Sequence, residues 1–326
     1  MKLLLSGFRD NRHSKFGGYD WIRFYPEADY FSDKDVPFGF LKVGQKGKSF
    51  NLRLLKKFTN IKASKYDIVH FFYGDLTLYH PLSKKRRFKA IATIHNNTEK
   101  IEKHHENIIE CIKSLDALIV LNSNQATYLR EKCNINAYFI PHGFDCPQFN
   151  FMSAKEIVDF DESKVNVIVI GRQYRDYETL EYAIQNSSEM DIQFYLIGLK
   201  EEQKRRFQHY KNATVCPRFN DDAYYSLISS CDYCFLPLTF ATANNAFMEA
   251  QHLGVRCVLP KIAGVTDYAS PFDNIFYNDK TELLEILSKL KKQTISTILK
   301  SHAEKFSWEN IYLQLGDFYH SLLELK

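Results

Sequence analysis

Residues 166–184 read NVIVIGRQYRDYETLEYAI, and this stretch carries the pattern on which the fold assignment depends. A continuous apolar run ends at Gly171, Arg172 and Arg175 follow, and an amphipathic helical pattern begins near Tyr177. Continuous apolar strands are typical of parallel sheets, because helices cover both faces of such a sheet and neither face meets water. The stretch therefore predicts a strand–turn–helix unit of an α/β fold.

The same pattern recurs on both sides of this stretch, and an irregular segment at 146–164 interrupts it once. The predicted strands of the first half are Lys2–Leu5, Phe38–Val43, Ile68–Phe72, Ala90–Ile94, Ala117–Leu121 and Ala137–Ile140. Those of the second half are Val165–Ile170, Gln193–Ile197, Ala213–Cys216, Tyr233–Leu236 and Arg256–Leu259. Helical periodicity fills several of the gaps, notably at 51–58, 101–114 and 124–132. We therefore predict two Rossmann-like doubly wound domains that face each other across a cleft at the carboxyl ends of their strands.

Composition places the chain among ordinary globular proteins. Its 326 residues are enough for one large or two medium domains. Of these residues, 45% are hydrophobic and 25% are charged, which is typical of globular proteins. The seven cysteines are odd in number and lie mostly in apolar segments, which indicates a reducing, cytoplasmic compartment. No apolar run is long enough for a signal peptide or a membrane-spanning helix, so we expect neither export by that route nor integration into a membrane.

Charge is distributed unevenly along the chain. Residues 1–150 contain 24 Lys and Arg against 15 Asp and Glu, while the whole chain carries only +4. Within 42–89 there are 13 basic and 2 acidic residues, in clusters such as SKKRRFK. A solvated basic face would explain this pattern, and so would attraction to an anionic membrane or a polyanionic acceptor. No nucleic-acid-reading motif accompanies the basic residues, so nucleic acid is not an expected partner.

Two predicted strand ends of the first half carry candidate site residues. Gly17 and Gly18 precede an amphipathic segment, where paired glycines allow the backbone to approach a phosphate or an acceptor. His95 ends the strand IATIH, where an imidazole can bind a sugar hydroxyl or act as an acid or base. A glycine turn and a structural histidine would explain the same residues.

Candidate ligand-binding residues follow two predicted strands of the second half. Arg172 and Arg175 lie before a helix, where two guanidinium groups and the helix N-terminus favour a diphosphate. Asn244 and Asn245 begin the helix of NNAFMEAQHLG, and their backbone amides can meet phosphate oxygens. Glu249 lies about one turn further, where its carboxylate would repel phosphate but suits a ribose diol. A first-turn glutamate stabilised by the helix dipole would need no ligand.

These motifs, in their order and spacing, resemble the retaining glycosyltransferases of family 4, which have the two-domain GT-B fold. TIH resembles that family's histidine-bearing strand end, and IPHGFD its IPNGVD turn. VIGRQYRDYETLEYAI is similar to its phosphate segment, and NNAFMEAQHLGVRCVLPKIAG to its LEAMACGTPVV segment. KFSWENIYLQLGDFY resembles its C-terminal helix, which crosses back to the first domain. The resemblance covers nearly the whole chain.

The resemblance implies roles for these residues. It implies an acceptor domain at 1–150, a donor domain at 151–308 and a returning helix at 309–326. Glu249 matches the second acid of the family's E-x7-E motif, and in the family this acid binds the donor ribose. The resemblance therefore makes Glu249 and His95 the candidate catalytic residues. Ala241 stands where the first acid is usual, so retention and inversion both stay open. The segment NATVCPRFNDD resembles the family's base-contacting segment, which assigns that contact to Arg218 and Phe219.

The function predicted in this way is hexosyl transfer from a nucleotide-diphosphate sugar to a glycan or lipid-linked acceptor, as in bacterial-type surface polysaccharide assembly. We expect no cofactor and no metal, because the chain has cations for phosphate and its candidate site residues include only one carboxylate, Glu249. The expected location is the cytoplasm, with peripheral contact at the inner face of the membrane. A nucleotide-sugar 2-epimerase and a non-catalytic nucleotide-sugar-binding subunit remain alternatives. The sugar, the base, the acceptor, the linkage and the oligomeric state stay open.

Overall fold

The chain divides into two units in a computed structural model that describes residues 1–7, 16–33, 35, 55, 57–78, 81–83, 85–97 and 108–324. The first unit comprises Met1–Phe144 together with Phe306–Lys326, and the second comprises Asp145–Lys305. The chain thus passes into the second unit six residues before the boundary estimated from the sequence, and returns three residues before the estimated start of the last helix.

The first unit contains a parallel sheet with the strand order β2-β1-β3-β4-β5-β6 among the described residues. Its strands are β1 (Leu3–Gly7), β2 (Ala28–Ser32), β3 (Ile68–Phe71), β4 (Lys89–Ile94), β5 (Ala117–Val120) and β6 (Ala137–Phe139). A 3-10 helix (Tyr19–Phe24) and the helices α1 (Gly74–Thr77), α2 (Ile108–Lys113) and α3 (Ser123–Cys133) lie between them. Residues 57–63 are also helical. Every residue of β1, β3 and β5 is buried, as a sheet covered on both faces requires.

The second unit repeats this architecture with the strand order β12-β11-β10-β7-β8-β9, again all parallel. Its strands are β7 (Val165–Ile170), β8 (Ile192–Ile197), β9 (Ala213–Val215), β10 (Tyr233–Phe235), β11 (Arg256–Pro260) and β12 (Ile275–Tyr277). Its helices are α4 (Ala154–Ile157), α5 (Tyr177–Asn186), α6 (Glu201–Phe207), α7 (Asp221–Ser230), α8 (Asn245–His252), α9 (Lys280–Ser288) and α10 (Thr297–Ala303). The two Rossmann-like units predicted from the sequence are confirmed.

The last helix, α11 (Trp308–Glu324), belongs to the first unit. Its buried residues recur every three or four positions, which gives the helix one apolar face; they are Trp308, Ile311, Leu315, Phe318, Tyr319 and Leu322. The amide of Phe144 donates a hydrogen bond to the Phe306 carbonyl at 2.7 Å, close to the point where the chain re-enters this unit. A Cβ atom on Gly143 would lie 2.3 Å from the Trp308 ring, so the turn needs a glycine there to pack against α11.

A buried hydrogen-bond network joins α11 to the sheet of the first unit. The His70 imidazole is completely buried in β3, and its Nδ1 lies 2.7 Å from the Tyr319 hydroxyl. Its Nε2 lies 2.7 Å from Thr93 Oγ1 on β4, and that hydroxyl also lies 3.1 Å from the Tyr19 hydroxyl. Burial lowers the pKa of His70 to about 3, so the ring stays neutral and serves as a fixed polar connector.

The predicted strands within the described residues are present, with ends shifted by one or two positions. Sequence patterns missed β2 and β12, each of which is one of the two edge strands of its sheet. β2 is interrupted by a charged residue, Asp29, and β12 is only three residues long, so neither shows the long apolar run of a central strand. The predicted strand Phe38–Val43 lies outside the described residues.

The basic segment 42–89 also contains the apolar residues Phe50, Leu52, Leu54, Leu55 and Phe58, for which the sequence allows either membrane contact or core packing. Phe50, Leu52 and Leu54 lie outside the described residues. Leu55 is 1% exposed and Phe58 packs against the core of the first unit, so core packing accounts for both. In the part of the chain that the structure describes, no helix combines the length and the apolar character needed to cross a membrane.

We expect Tyr319→Phe to lower the free energy of unfolding of the first unit by about 1–3 kcal/mol, because it leaves His70 Nδ1 buried without its partner. Both tryptophans of the chain, Trp21 and Trp308, lie in the first unit, so their fluorescence during urea denaturation reports on this unit. Leu313→Ala, at a position on the same helix that is 65% exposed, is the control and should change stability by less than about 0.5 kcal/mol. Equal stability of the Tyr319→Phe variant and the wild type would contradict a supporting role for the network.

Candidate functional site

In the second unit, the order of the strands reverses between β7 and β10, which are neighbours in the sheet but not in the chain. Ligands of doubly wound folds bind beside the carboxyl ends of such a strand pair. The loops that follow the two strands are joined there: the Asp176 amide donates to the Pro237 carbonyl at 2.7 Å, and the Thr239 amide to the Tyr174 carbonyl at 2.9 Å. Arg172 and Arg175 lie on the first of these loops and Asn244 on the second, so the three residues lie at the same edge of the sheet.

The two arginines of the first loop have different surroundings. Arg175 donates through Nε and Nη2 to the Ile170 carbonyl, at 2.9 and 2.5 Å, and through Nη1 to the Gln173 carbonyl at 2.8 Å. Burial lowers its pKa to about 10, still high enough to keep the guanidinium charged at neutral pH. Arg172 has an exposed side chain. Arg175 therefore shapes the loop at the end of β7, and Arg172 presents its charge to solvent.

Helix α8 begins beside this edge, at the position that the sequence predicted. The Asn244 side chain caps it by accepting a hydrogen bond from the Phe247 amide at 3.2 Å, and the Asn244 carbonyl accepts from the Met248 amide at 3.0 Å. Within the described residues, this leaves the amides of Asn245 and Ala246 at the positive end of the helix for an outside acceptor. An anion placed there would meet backbone donors as well as the Arg172 charge if it spans both loops.

Glu249 lies in the second turn of α8 and is 5% exposed. The Tyr224 hydroxyl donates to its Oε2 atom at 2.5 Å, and Tyr225 supplies a second hydrogen bond. Burial raises the pKa of Glu249 to about 7, against the opposing effect of the two tyrosines. The first-turn interpretation does not apply, because α8 has no acid in its first turn. Glu249 is instead a desolvated carboxyl group held between α8 and α7.

The remaining donor candidates lie near the same ends of the sheet. Arg218 is exposed and Phe219 half-buried, and both follow β9 directly before α7. Ala241, where the resemblance leads one to look for a first acid, is 3% exposed. A carboxylate could enter that position only at a desolvation cost similar to that borne by Glu249.

In the first unit, Gly17 and Gly18 lie directly before the 3-10 helix and are buried. A Cβ atom on Gly17 would lie 2.0 Å from the Phe144 ring, so close packing already explains this glycine. Their predicted contact with an acceptor or a phosphate stays a prediction. The helix that follows them contributes Tyr19, which is 1% exposed and lies at the centre of an aromatic cluster.

His95 follows β4 and contacts this cluster. Its ring centroid lies 4.6 Å from that of Tyr19, edge to face, and 4.7 Å from that of Tyr73. Its Nδ1 atom lies 3.5 Å from Oδ1 of Asp75, a carboxylate that is 4% exposed, while the imidazole itself is 18% exposed. The amide group of Asn96 donates to the other Asp75 oxygen. The structure therefore places an imidazole and a buried carboxylate together at the carboxyl edge of the first sheet.

Sequence reasoning missed the partners of both titratable candidates. Tyr224 and Tyr225 hold Glu249 but lie on a different helix, and no local pattern joins the two helices. Asp75 could have been predicted from the sequence, because it follows β3 in HFFYGD as His95 follows β4. Parallel strands that are neighbours end at the same edge of the sheet. Gly74 matters here as well, since a Cβ atom on it would lie 2.8 Å from Ala92 Cβ and push Asp75 away from β4.

The described residues contain no group of three or more His, Cys, Asp or Glu side chains arranged to hold a metal ion. No protein-family model matches the chain, and no curated protein matches it in sequence.

Solved structures do match the chain. A sucrose-phosphate synthase from Thermosynechococcus elongatus has a TM-score of 0.73 at 16% identity, with 100% of each chain covered. The catalytic domain of starch synthase IV from Arabidopsis thaliana, bound to ADP and acarbose, has 0.72 at 12% identity, with 99% of each covered. HepE from Anabaena in complex with UDP-glucose has 0.65 at 13% identity, with 98% of this chain and 99% of that chain covered. The chain thus has the fold of the GT-B glycosyltransferases.

We expect Glu249→Gln to stabilise the second unit at pH 8 and to leave it nearly unchanged at pH 4.5. The pKa of Glu249 is raised in the folded state to about 7, so the unfolded chain loses its proton first and stability falls as the pH rises from about 4.5 to about 7. The neutral amide does not ionise and keeps an acceptor for Tyr224.

Hydrogen exchange of the amides of β7 and β10, followed by mass spectrometry at both pH values, measures this effect in the second unit. Glu285→Gln, on the exposed face of α9, is the matched control and should behave as the wild type at both values. A loss of protection at pH 8 in the Glu249→Gln variant would contradict a desolvated carboxyl group.

Proposed function

We propose that the chain is a glycosyltransferase that moves a hexosyl group from a nucleotide-diphosphate sugar to a glycan or lipid-linked acceptor. The observation that carries this proposal is the edge beside β7 and β10, where Arg172, the N-terminus of α8 and the buried Glu249 lie on adjoining loops and helices of one sheet. Cation and helix N-terminus suit a diphosphate, and the carboxyl group suits a diol. The whole-chain likeness to enzymes solved with ADP or UDP-glucose supports the same assignment.

The physical reason for this arrangement lies in the leaving group. When the glycosidic bond to a nucleotide diphosphate breaks, negative charge grows on the phosphate oxygens. A guanidinium group and helix-terminal amides that are already in position stabilise that charge without reorganisation. Arg175 contributes by fixing the loop, and a direct contact of Arg175 with the phosphate belongs to the proposal as well. In this mechanism no step needs a metal, and we expect full activity in the presence of a chelator.

Glu249 would then bind the donor ribose, and Arg218 with Phe219 would contact the base. His95 would bind a hydroxyl group of a sugar substrate, and the first unit would take the acceptor. We propose retention of the anomeric configuration on the strength of the family resemblance. Nuclear magnetic resonance of the product formed from a donor of known anomeric configuration tests this point, and an inverted product would rule it out.

The two alternatives predict different products. A 2-epimerase would interconvert nucleotide sugars without an acceptor, and a non-catalytic subunit would bind the nucleotide sugar without consuming it. Thermal stabilisation against a panel of nucleotide sugars identifies the donor, since a ligand that binds the folded state raises the melting temperature. Incubation of that donor with and without glycan acceptors then separates transfer from epimerisation and from simple binding.

We expect Arg172→Ala to weaken the binding of UDP or ADP, whichever the panel selects, by roughly 1.5–3 kcal/mol, the contribution of one charge-assisted hydrogen bond. Isothermal titration calorimetry measures the change. Arg205→Ala, which removes an exposed arginine from α6, is the matched control and should bind as the wild type does. Unchanged nucleotide affinity in the Arg172→Ala variant would remove this residue from the site.

Peripheral contact with an anionic membrane forms a second part of the proposal. Among the described residues, Arg86, Arg87, Lys89 and Lys113 line a groove of about 530 Å³ at the amino-terminal edge of the first sheet. Arg86 is paired with Asp116 at 2.5 Å, whereas Arg87 and Lys113 are exposed. Basic residues close to anionic lipid contribute on the order of 1 kcal/mol each, so a few of them are enough for reversible binding.

We expect the protein to sediment with anionic vesicles at low salt, and to be released as the salt concentration rises, because salt screens this attraction. The double variant Arg87→Glu/Lys113→Glu should bind more weakly, and Lys289→Glu in the second unit, at a side chain that is 77% exposed, is the matched control. Equal sedimentation of all three proteins would remove the groove from the proposal. Failure of the wild type to bind anionic vesicles at low salt would exclude membrane contact.

A further inference from the structure

Three buried polar atoms without hydrogen-bond partners lie together at the carboxyl edge of the first sheet. They are Oδ1 of Asp75 and both ring nitrogens of His95, and none has a partner among the described residues. Buried polar groups in folded proteins are almost always paired, and an unpaired one is destabilising. Oδ1 and Nδ1 face each other at 3.5 Å, so Nε2 of His95 is the buried atom whose hydrogen bond is left for a ligand to complete.

The carboxylate is fixed before any ligand arrives. Asp75 is the second residue of α1, one of its oxygens accepts a hydrogen bond from Asn96, and its side chain is 4% exposed. Burial alone would raise the pKa of Asp75, but the neighbouring His95 imidazole and the hydrogen bond from Asn96 lower it below its usual value. The group is therefore an anion at neutral pH, with Oδ1 directed towards His95.

The imidazole is also held in place. The Tyr19 ring meets it edge to face, at an interplanar angle of 84°, and the Tyr73 ring packs at 31°. Tyr19 is fixed in turn by its hydrogen bond to Thr93, which is bonded to His70. With the ring held in this way, Nδ1 faces the carboxylate at 3.5 Å, and the ring's other nitrogen is on its far side.

We infer that Asp75 is the positioning residue for His95: it holds the imidazole as the Nδ1–H tautomer, so that Nε2 is presented as a hydrogen-bond acceptor to a sugar hydroxyl. The reason is electrostatic, because a carboxylate accepts and never donates, and so stabilises the tautomer with its proton on the facing nitrogen. Separations between such groups are often long before substrate binds, which accounts for the 3.5 Å. This inference rests on the proposed function for the identity of the hydroxyl, but the tautomer does not depend on it.

The tautomer can be measured directly. Long-range proton–nitrogen spectra of the full chain, labelled with ¹⁵N-histidine, distinguish protonated from unprotonated ring nitrogens at about pH 8.5, above the ordinary pKa of histidine. The signal of His95 is the one that disappears in the His95→Gln variant. We expect a protonated Nδ1 and an unprotonated Nε2 in the wild type. A protonated Nε2, or a mixture like that of free histidine, would overturn the inference.

Asp75→Asn tests the cause, because the amide has the same shape but no charge and can donate. We expect the His95 tautomer to change in this variant, and kcat for transfer to fall roughly 10- to 100-fold, as for other residues that orient a functional imidazole. The KM for the donor should stay within about twofold, since a positioning residue on this edge acts on turnover. Asp75→Glu, which restores the charge, should recover part of the lost rate.

Asp317→Asn, at an exposed position of α11, is the matched control and should keep both the wild-type tautomer and the wild-type rate. An Asp75→Asn protein with the wild-type tautomer and kcat would show that Asp75 serves packing only. If no nucleotide sugar is turned over by the wild type, the proposed function fails while the tautomer spectra still decide this inference. If Asp75→Asn does not fold, the wild-type spectrum and the Asp75→Glu variant decide it.

Discussion

The hydrogen bond between His70 and Tyr319 is the interaction on which the first unit depends. It joins residues that are 249 positions apart in sequence, and it is completely buried. The returning helix α11 thereby becomes part of the core that supports β3 and β4, the two strands whose ends carry Asp75 and His95. Because the ring of His70 is also bonded to Thr93, and Thr93 to Tyr19, the position of the helix is transmitted to the ring that packs against His95.

A different constraint governs the second unit, where charged groups are buried at a cost. Arg175 loses water but regains three hydrogen bonds to carbonyl groups of its own loop, so its burial is compensated locally. Glu249 is compensated less completely, since two tyrosines leave its pKa near 7. Such a group weakens the fold at neutral pH, and strongly perturbed groups beside a strand end are typical of functional sites. The exposed Arg172 carries no such cost.

Much of the fold follows from the sequence because central parallel strands must be apolar on both faces. The prediction fails where that requirement ends. β2 and β12 have neighbours on one side only and most of their residues are not fully buried; β2 (ADYFS) alternates polar and apolar residues, and β12 (IFY) is only three residues long. The returning helix was placed by family resemblance, and its apolar face then agrees with the burial of Trp308 and Tyr319.

The sequence indicates single candidate residues for the site but not the pairs that they form. A strand end and a glycine turn are local signals, and they led to Arg172, Arg175, His95 and Glu249. Arg175 is buried and Arg172 exposed because Arg175 donates hydrogen bonds to backbone carbonyl groups. Every residue has a backbone carbonyl, so the sequence gives no signal for this difference. Tyr224 contacts Glu249 and Asp75 contacts His95, and in each pair the two residues lie on different elements. Patterns along the sequence do not show such contacts.

The two edges differ in a way that matches the two halves of a transfer reaction. The edge of the second unit combines the exposed guanidinium group of Arg172, the amides at the N-terminus of α8 and Glu249, whose burial keeps it partly protonated. The positive groups favour an anionic ligand there. The edge of the first unit has no free cation among its described site residues and offers an anionic carboxylate behind an imidazole within an aromatic cluster. Aromatic faces and a hydrogen-bond acceptor suit the apolar face and the hydroxyl groups of a sugar, whereas an anion would be repelled by Asp75. Under the proposed function, the edge of the second unit would bind the diphosphate and the edge of the first unit a hydroxyl group.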